Sequence, residues 1–511
     1  MNRPVYLEIK SSVFKDIYEI DEGSIYNFQT YLAGIWSRSE STITIHSPID
    51  NAVIAKVPRL TWKDVDPILT TIYKKGRWKV RGIPGDKRLD MLHKIADLME
   101  KYRDDLAHVL MINAGKTSKQ AYGEVEASIE RLRKSELDVR KIMGEYVPGD
   151  WSDHTLESEG IVRREPYGVV LAIIPFNYPL FDTVNKFTYS VVAGNAVIVK
   201  PPSYDPLPVL LFARIVEEAG FPKNGFAVMT IPGRESGKLV SDRRIQVISF
   251  TGSTETGIAV IREAGIKQFI LELGGGDPAI VLKDADLNLA AEKIAIGMTS
   301  YSGQRCDAIK LVLCERPVYD ELKEKLVSNL SKIKVGDPRE NSVDMGPLID
   351  PSTVDEMLNA VSEVVEKGGR VIYGGNRLGP TYVEPTLVEV EDKKVLLSLK
   401  LYRDEMFAPV ALITNVKSVD EAIELANARR YGLDAAIFGR DIDKIRKLIR
   451  YLEVGAVYIN EYPRHGIGYY PFGGRKDSGI SREGIGYSIE HVTALKTIVY
   501  NYRGRGIWEY I

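Results

Sequence analysis

Two rhythms of apolar positions divide this chain. Between Arg88 and Arg140, Leu89, Leu92, Ile95, Leu98 and Met99 recur at helical spacing with charges between them, which predicts two or three amphipathic helices. A polar, turn-prone stretch follows, MGEYVPGDWSDHTLESEG, and then the rhythm changes. From Tyr167, short continuous apolar runs alternate with helical segments. GVVLAIIPFN, NAVIVKPPS, GFAVMTIPG, IQVISFTGS and FILELGGG read as strands, and Leu207–Ala219 and Thr254–Glu263 as helices. Strands that are apolar on both faces, with helices between them, imply a parallel, doubly wound sheet covered on both sides. Each run ends in Pro, Gly, Asn or Ser, at the edge where such sheets bind ligands.

The alternation resumes from Ala279 to about Gly479, with AIVL, a helix over Leu287–Met298, IKLVLCE, APVALI and AAIFG. It predicts a second α/β domain with its own sheet. The closing residues ALKTIVYNYRGRGIWEY are apolar and aromatic, and are expected to form a strand that pairs across a subunit interface. An edge strand within the same chain is the alternative. No internal repeat or low-complexity segment interrupts this organisation.

A length of 511 residues requires more than one hydrophobic core. A net charge of −2, with no long block of Lys and Arg, gives no reason to expect a nucleic-acid partner. No apolar stretch is long enough to span a bilayer, and the opening residues lack the apolar core of a signal peptide. Two cysteines, Cys306 and Cys314, provide neither a disulfide framework nor a Cys-based metal site, and they suit a reducing compartment. The expectation is a soluble cytoplasmic protein with no membrane partner and no metal.

Four places carry candidate chemistry. In SYSGQRCDAIK, Cys306 falls on a turn between a helix and a strand, where a thiol can react and where Arg305 can favour a thiolate. Cys314, inside IKLVLCE, has the opposite setting of a small buried hydrophobe. Glu272 ends an apolar strand before three glycines. Burial there would push its pKa toward neutrality, as a general base needs, although a solvated acid at a strand end has the same signature. Asn177, between Pro175 and Pro179, could donate to an oxyanion or simply shape a turn. FTGSTETG follows a strand and opens a helix, so its backbone N–H groups can receive a pyrophosphate, although the full G-x-G-x-x-G pattern is absent.

Taken in order, PFNYP, KPPS, FTGST, ELGGG, GQRC, EMFAPV and PFGGRKDSG resemble the aldehyde dehydrogenase superfamily, over roughly Tyr31 to Val499. The resemblance implies an α/β fold: a Rossmann-type parallel-sheet cofactor domain (1–146 and 167–278), a catalytic domain (279–480) and a small oligomerisation arm (147–166 and 481–511), in a homodimer or homotetramer. It implies that Cys306 is the nucleophile, Glu272 the general base, and Asn177 with the N–H of Cys306 the oxyanion hole. The cofactor would lie against Pro175, Phe176, Lys200, Ser203, Gly233, Phe250, Gly252, Ser253, Leu273, Glu405 and Phe407. The thiolate would add to an aldehyde, hydride would pass to the nicotinamide, and water activated by Glu272 would hydrolyse the thioester.

Two departures from the family pattern stand out. Gly276 occupies a place where the family often has Lys. Ser203 occupies a place where many members have a Glu that binds the adenosine 2′-hydroxyl. A hydroxyl near Lys200 tolerates a 2′-phosphate that a carboxylate would repel, so NADP is favoured and NAD remains possible. Within the superfamily, GQRCDAIK, IVRREPYGVVLAIIPFNYP, LEVGAVYIN and PRHGIGYYPFGG most resemble the non-phosphorylating glyceraldehyde-3-phosphate dehydrogenases, the archaeal form especially. The implied substrate is a small phosphorylated aldehyde held by Asn177, Tyr178, Arg305 and Arg464. The family's further arginine is replaced by Ala127, and Arg131, one turn along, is the candidate substitute. Three alternatives stay open. One is a dehydrogenase of succinic or methylmalonate semialdehyde. Another is a Cys–His hydrolase using His154 or His465. The last is a catalytically silent scaffold of the same fold.

Overall fold

The computed structural model describes residues 5–502. Five apolar runs pair as parallel strands in the order Gln268–Glu272, Val247–Thr251, Val169–Ile173, Ala196–Lys200, Phe226–Val228. Two hairpin strands, Thr30–Leu32 and Ile35–Ser37, extend one edge antiparallel, and Gly479–Ile480 closes the other, making eight strands. The chain starts in the middle at Val169–Ile173, builds outward to Phe226–Val228, and then returns to the other side of its starting strand. The order therefore reverses between Val169–Ile173 and Val247–Thr251, which opens a crevice beyond their carboxyl ends.

These strands need cover on both faces because every residue from Val169 to Ile173 and from Ala196 to Lys200 is buried. Helices Pro179–Ala193 and Leu207–Glu218 supply part of that cover, together with the expected amphipathic group. That group is three helices, Gly85–Lys101, Arg103–Ala114 and Ser118–Arg133, with Leu92, Ile95 and Met99 fully buried. Gly115, at φ +71°, ends the second of them in the left-handed conformation and turns the chain inward toward Lys116.

A second sheet of seven strands runs Arg370–Tyr373, Thr386–Glu389, Val410–Val416, Ile309–Glu315, Asp277–Val281, Asp434–Phe438, Ala456–Ile459, parallel throughout except at the Arg370–Tyr373 edge. The fold is the α/β arrangement that the apolar rhythm predicts. The first 60 residues carry structure that the rhythm does not reveal. Tyr18–Ile20, Tyr26–Phe28, Val53–Pro58 and Thr42–His46 form a separate four-stranded sheet.

Thr493–Asn501 pairs antiparallel along its whole length with Ser158–Pro166 of the same chain, and Glu145–Val147 pairs on the far side. The closing strand is thus the edge of a three-stranded sheet within the chain, paired on one side among the described residues. Residues 503–511 of the expected arm lie outside the described residues. Among the described residues, no helix is long and apolar enough to cross a membrane.

Candidate active site

Cys306 lies on a turn between a helix and a strand, and the backbone conformation that leads into it is one the sequence alone does not suggest. After helix Leu287–Thr299, three successive residues take positive φ: Tyr301 at 48°, Ser302 at 56° and Gly303 at 68°. Two are not glycine, so the turn is strained and its surroundings must hold it. The Tyr301 hydroxyl donates to Ala114 O at 2.6 Å and the Ser302 hydroxyl to Gly346 O at 2.8 Å. Gln304 Oε1 accepts from Ile349 N at 2.8 Å. Lys310 Nζ donates to Gly303 O at 2.9 Å and also to Ala408 O. Asn177, at the carboxyl end of the first parallel strand, donates Nδ2 to Gln304 O at 3.1 Å. The two sheets therefore meet at this turn, with Cys306 partly exposed at the meeting point.

The thiol faces a cavity of about 300 Å³. Asn177, Tyr178, Arg305 and Arg464, from three separate parts of the sequence, all line it. Gly123 and Ala127, one turn apart on helix Ser118–Arg133, open that wall to the cavity. Arg131 does not reach it. It is wholly buried, donating Nε to Asn185 Oδ1 at 2.7 Å and Nη2 to Asp138 Oδ2 at 2.8 Å, so it does not replace the missing arginine.

Charge in the cavity is balanced in pairs. Arg305 Nη2 lies 2.6 Å from Asp307 Oδ2 and also donates to Pro463 O at 2.9 Å. Lys116 Nζ lies 2.6 Å from Glu124 Oε2 and 3.9 Å from the centroid of the Tyr178 ring. Arg464 is more exposed and sits 3.5 Å from Glu461. Arg305 attracts a charge on the Cys306 sulfur, but other influences outweigh it. Burial raises the Cys306 thiol well above its ordinary pKa, and the carboxylates of Asp307 and Glu405 push the same way. Arg305 itself is paired with Asp307.

Glu272 is fully buried at the end of its strand, and neither carboxyl oxygen has a hydrogen-bond partner. Burial, reinforced by Glu483, lifts its pKa well above the ordinary carboxyl range. The direction is that expected of a buried acid. Among the described residues it is not one of those that line the cavity.

On the far side of Cys306, the strand ends form a second surface. Lys200 is nearly buried, with no carboxylate partner and one bond, to Pro201 O at 3.2 Å. Burial lowers its pKa to about 8. Ser203, three residues on, is exposed. Gly252 and Ser253 lie between strand Val247–Thr251 and helix Thr254–Ala264, with Ser253 as its N-cap accepting from Thr256 N at 3.3 Å. Gly233 is exposed at the start of a short 3-10 turn. Glu405 Oε1 accepts from Gly275 N at 2.9 Å, and burial raises its carboxyl to about 7. Phe407 meets Phe176 edge to face at 5.6 Å, beside the half-buried Pro175. Phe250 and Leu273 are core side chains. They pack beneath Gly252 and Gly257, where an added Cβ would come within 2.7 Å and 2.4 Å of them. Gly252 and Gly257 leave the backbone at the start of helix Thr254–Ala264 clear of side chains, and Lys200 brings a cation without a carboxylate partner among the described residues, which suits an anionic dinucleotide.

The departure at Gly276 has a packing cause. Its φ is +145°, and a Cβ there would lie 2.6 Å from Nη2 of the buried Arg429, which also donates to Gly276 O. No side chain fits. Sequence reasoning missed Lys116, Glu124, Asp182 and Glu483 on the cavity wall. One signal was available, because Ala121, Glu124, Val125 and Ser128 share a buried helical face and an acid on an apolar stripe needs a partner. His154 is exposed on the arm, whereas His465 is in the cavity.

Comparison with known proteins agrees with this geometry. The family model described as "Aldehyde dehydrogenase family" matches residues 36–498. An NADP-dependent glyceraldehyde-3-phosphate dehydrogenase of Streptococcus equinus is 35% identical over 93% of this chain and 98% of that protein. A lactaldehyde dehydrogenase of Methanocaldococcus jannaschii is 34% identical over 92% and 99%. The crystal structure of an NADP-dependent glyceraldehyde-3-phosphate dehydrogenase from Bacillus halodurans, complexed with NADP, superposes with a TM-score of 0.89. It is 33% identical and covers 93% of this chain and 99% of that one.

Proposed function

The chain belongs to the aldehyde dehydrogenase family, and from that premise we propose that it oxidises D-glyceraldehyde 3-phosphate to 3-phosphoglycerate with NADP, through a thioester on Cys306. The observation that carries this reading is the meeting of the Cys306 turn with Asn177, Tyr178, Arg305 and Arg464 around one cavity. Cys306 Sγ would attack the aldehyde carbon, and the resulting oxyanion would sit against Asn177 Nδ2 and the N–H of Cys306. Bound NADP would accept the hydride. Glu272, once turned toward the thioester, would take a proton from the attacking water. Arg464 and Arg305, with the Tyr178 hydroxyl, would face the phosphate.

Lys200 and Ser203 would hold the 2′-phosphate ribose, Gly252 and Ser253 the pyrophosphate, and Glu405 and Phe407 the nicotinamide ribose. NAD would bind the same surface more weakly, without the phosphate contact. The exposed Leu495, Val499 and Tyr500 of the three-stranded arm support a homo-oligomer, a dimer or a tetramer.

A second reading, oxidation of a small unphosphorylated hydroxyaldehyde, is favoured by the paired charges and by Ala127 where a cation would otherwise face the substrate. Steady-state NADPH formation in phosphate-free buffer separates the two, with glyceraldehyde 3-phosphate, glyceraldehyde and succinic semialdehyde side by side. The first reading expects the phosphorylated aldehyde to lead by a hundredfold in kcat/KM, about 2.7 kcal/mol. Parity with glyceraldehyde selects the second, and a lead for the semialdehyde rejects both.

A further inference from the structure

One side chain beside the nucleophile has no part in the reaction just described. His465 lies on the loop after strand Ala456–Ile459, its ring against that of Phe472 at 3.4 Å between centroids. Nε2 is 2.9 Å from Asp307 Oδ2, but the approach is out of line with the ring N–H, so this buried nitrogen has no directed hydrogen bond. Cys306 Sγ, a carboxylate oxygen of Asp307 and a ring nitrogen of His465 all lie within 4.8 Å of one another.

We propose that His465 takes the thiol proton of Cys306 as the sulfur adds to the aldehyde, and that Asp307 holds the imidazolium so formed. The inference rests on the reading of Cys306 as the nucleophile. In the step, the S–H bond breaks and its proton passes to the ring nitrogen. The freed electron pair forms the S–C bond, and the carbonyl π pair moves onto oxygen, beside Asn177. No oxidant enters.

The need for such a group follows from the surroundings. Burial and nearby carboxylates push the pKa of the thiol up, which works against a standing thiolate. Arg305 is held by Asp307 and the backbone of Pro463. Glu272 is off the cavity wall. An imidazole is the side chain whose ordinary pKa suits proton acceptance near pH 7. A separation of up to 4.8 Å exceeds a hydrogen bond, and catalytic contacts commonly tighten when substrate binds. The groups that interact with the ring come from several elements. They are Asp307 on the nucleophile turn, Asp182 on helix Pro179–Ala193 and Asp434 on strand Asp434–Phe438, while Arg305 and Arg464 line the same cavity. A proton arriving there meets three carboxyl groups and two guanidiniums.

The test is alkylation of Cys306 by iodoacetamide in the full chain, without aldehyde or cofactor, followed by mass spectrometry of the Cys306 peptide. Cys314 is fully buried and reports nothing at short times. His465→Asn is expected to slow alkylation about tenfold or more at pH 7, yet to leave the rate at pH 10 within about twofold, where hydroxide replaces the base. His465→Ala is expected to do the same and to recover with added imidazole. Glu272→Gln is expected to alkylate normally. An unchanged rate at pH 7, or an equal fall at both pH values without imidazole rescue, overturns the proposal. Because the assay contains no aldehyde, it stays readable if the substrate assignment fails. Continued aldehyde oxidation by Cys306→Ala would instead reject the thioester reading.

Discussion

Arg305 and Asp307 flank the nucleophile in sequence and pair with each other across it, Nη2 to Oδ2 at 2.6 Å, with both side chains buried. The arginine next to a reactive cysteine looks like a device for lowering its pKa. Here the next residue but one cancels that charge. What the pair does is fix the guanidinium plane over the cavity and tie the nucleophile turn, through Pro463, to the loop that carries Arg464 and His465.

Removing one partner tests this. Arg305→Ala leaves Asp307 buried with the off-line contact to His465 as its remaining countercharge. Breaking a buried ion pair costs about 3–5 kcal/mol, and His465 would offset part of it. The expected result is a clear fall in the urea midpoint together with loss of aldehyde oxidation. An unchanged midpoint would mean that Asp307 is better solvated than its burial indicates.

Much of this was legible in the sequence for a physical reason. Runs such as Val169–Ile173 are apolar at every position because a parallel sheet buries both faces, so the strands and the ligand-binding ends announce themselves. The edge strands near the N-terminus do not, because three-residue strands such as Tyr18–Ile20 are too short to show a period. The site was half legible. Cys306, Asn177 and Glu272 stand beside turn residues, but the pairing of Lys116 with Glu124, or of Asp307 with His465 across 158 positions, follows from packing that no local pattern encodes.

Ala127 offers a test of whether the cavity reads a phosphate. It faces the cavity from helix Ser118–Arg133, where no cation stands. Ala127→Glu is expected to raise KM for glyceraldehyde 3-phosphate about tenfold or more, roughly 1.4 kcal/mol of repulsion, and to leave unphosphorylated glyceraldehyde nearly unaffected. Equal effects on the two aldehydes would place the phosphate elsewhere.

Lys200 gives the cofactor preference a pH signature. Burial lowers its pKa to about 8, so it is charged below that value and loses its charge as pH rises through it. Affinity for NADPH should therefore hold steady up to about pH 7.5 and decline by pH 9, with NADH changing less. Fluorescence titration of both nucleotides checks this, and Lys200→Met should flatten the difference. Ser203→Glu should reverse the preference toward NADH, since its carboxylate would face the 2′-phosphate. A slope shared equally by both nucleotides would remove Lys200 from the phosphate contact.

Glu272 makes the sharpest separation between the two halves of the reaction. Its carboxyl is buried without a hydrogen-bond partner, and burial raises its pKa well above the ordinary carboxyl range. A group whose folded pKa lies above its unfolded value, about 4.3 for Glu, contributes stability that is whole below the unfolded value and is lost as pH rises toward the folded one. Glu272→Gln removes that liability while keeping the shape, so the variant should resist urea at least as well as the wild type at pH 8. Its chemistry should fail late rather than early. Thiol addition and hydride loss do not need this carboxyl, so mixing with aldehyde and NADP should give a burst of NADPH close to one per active site. Turnover should then stall at the thioester, which needs a base for its attacking water. Stopped-flow absorbance with intact-mass detection of the acylated chain reads both events. A variant that shows no burst would place Glu272 in the first step, and with it the proton acceptance here given to His465. A variant that turns over normally would remove Glu272 from the chemistry altogether.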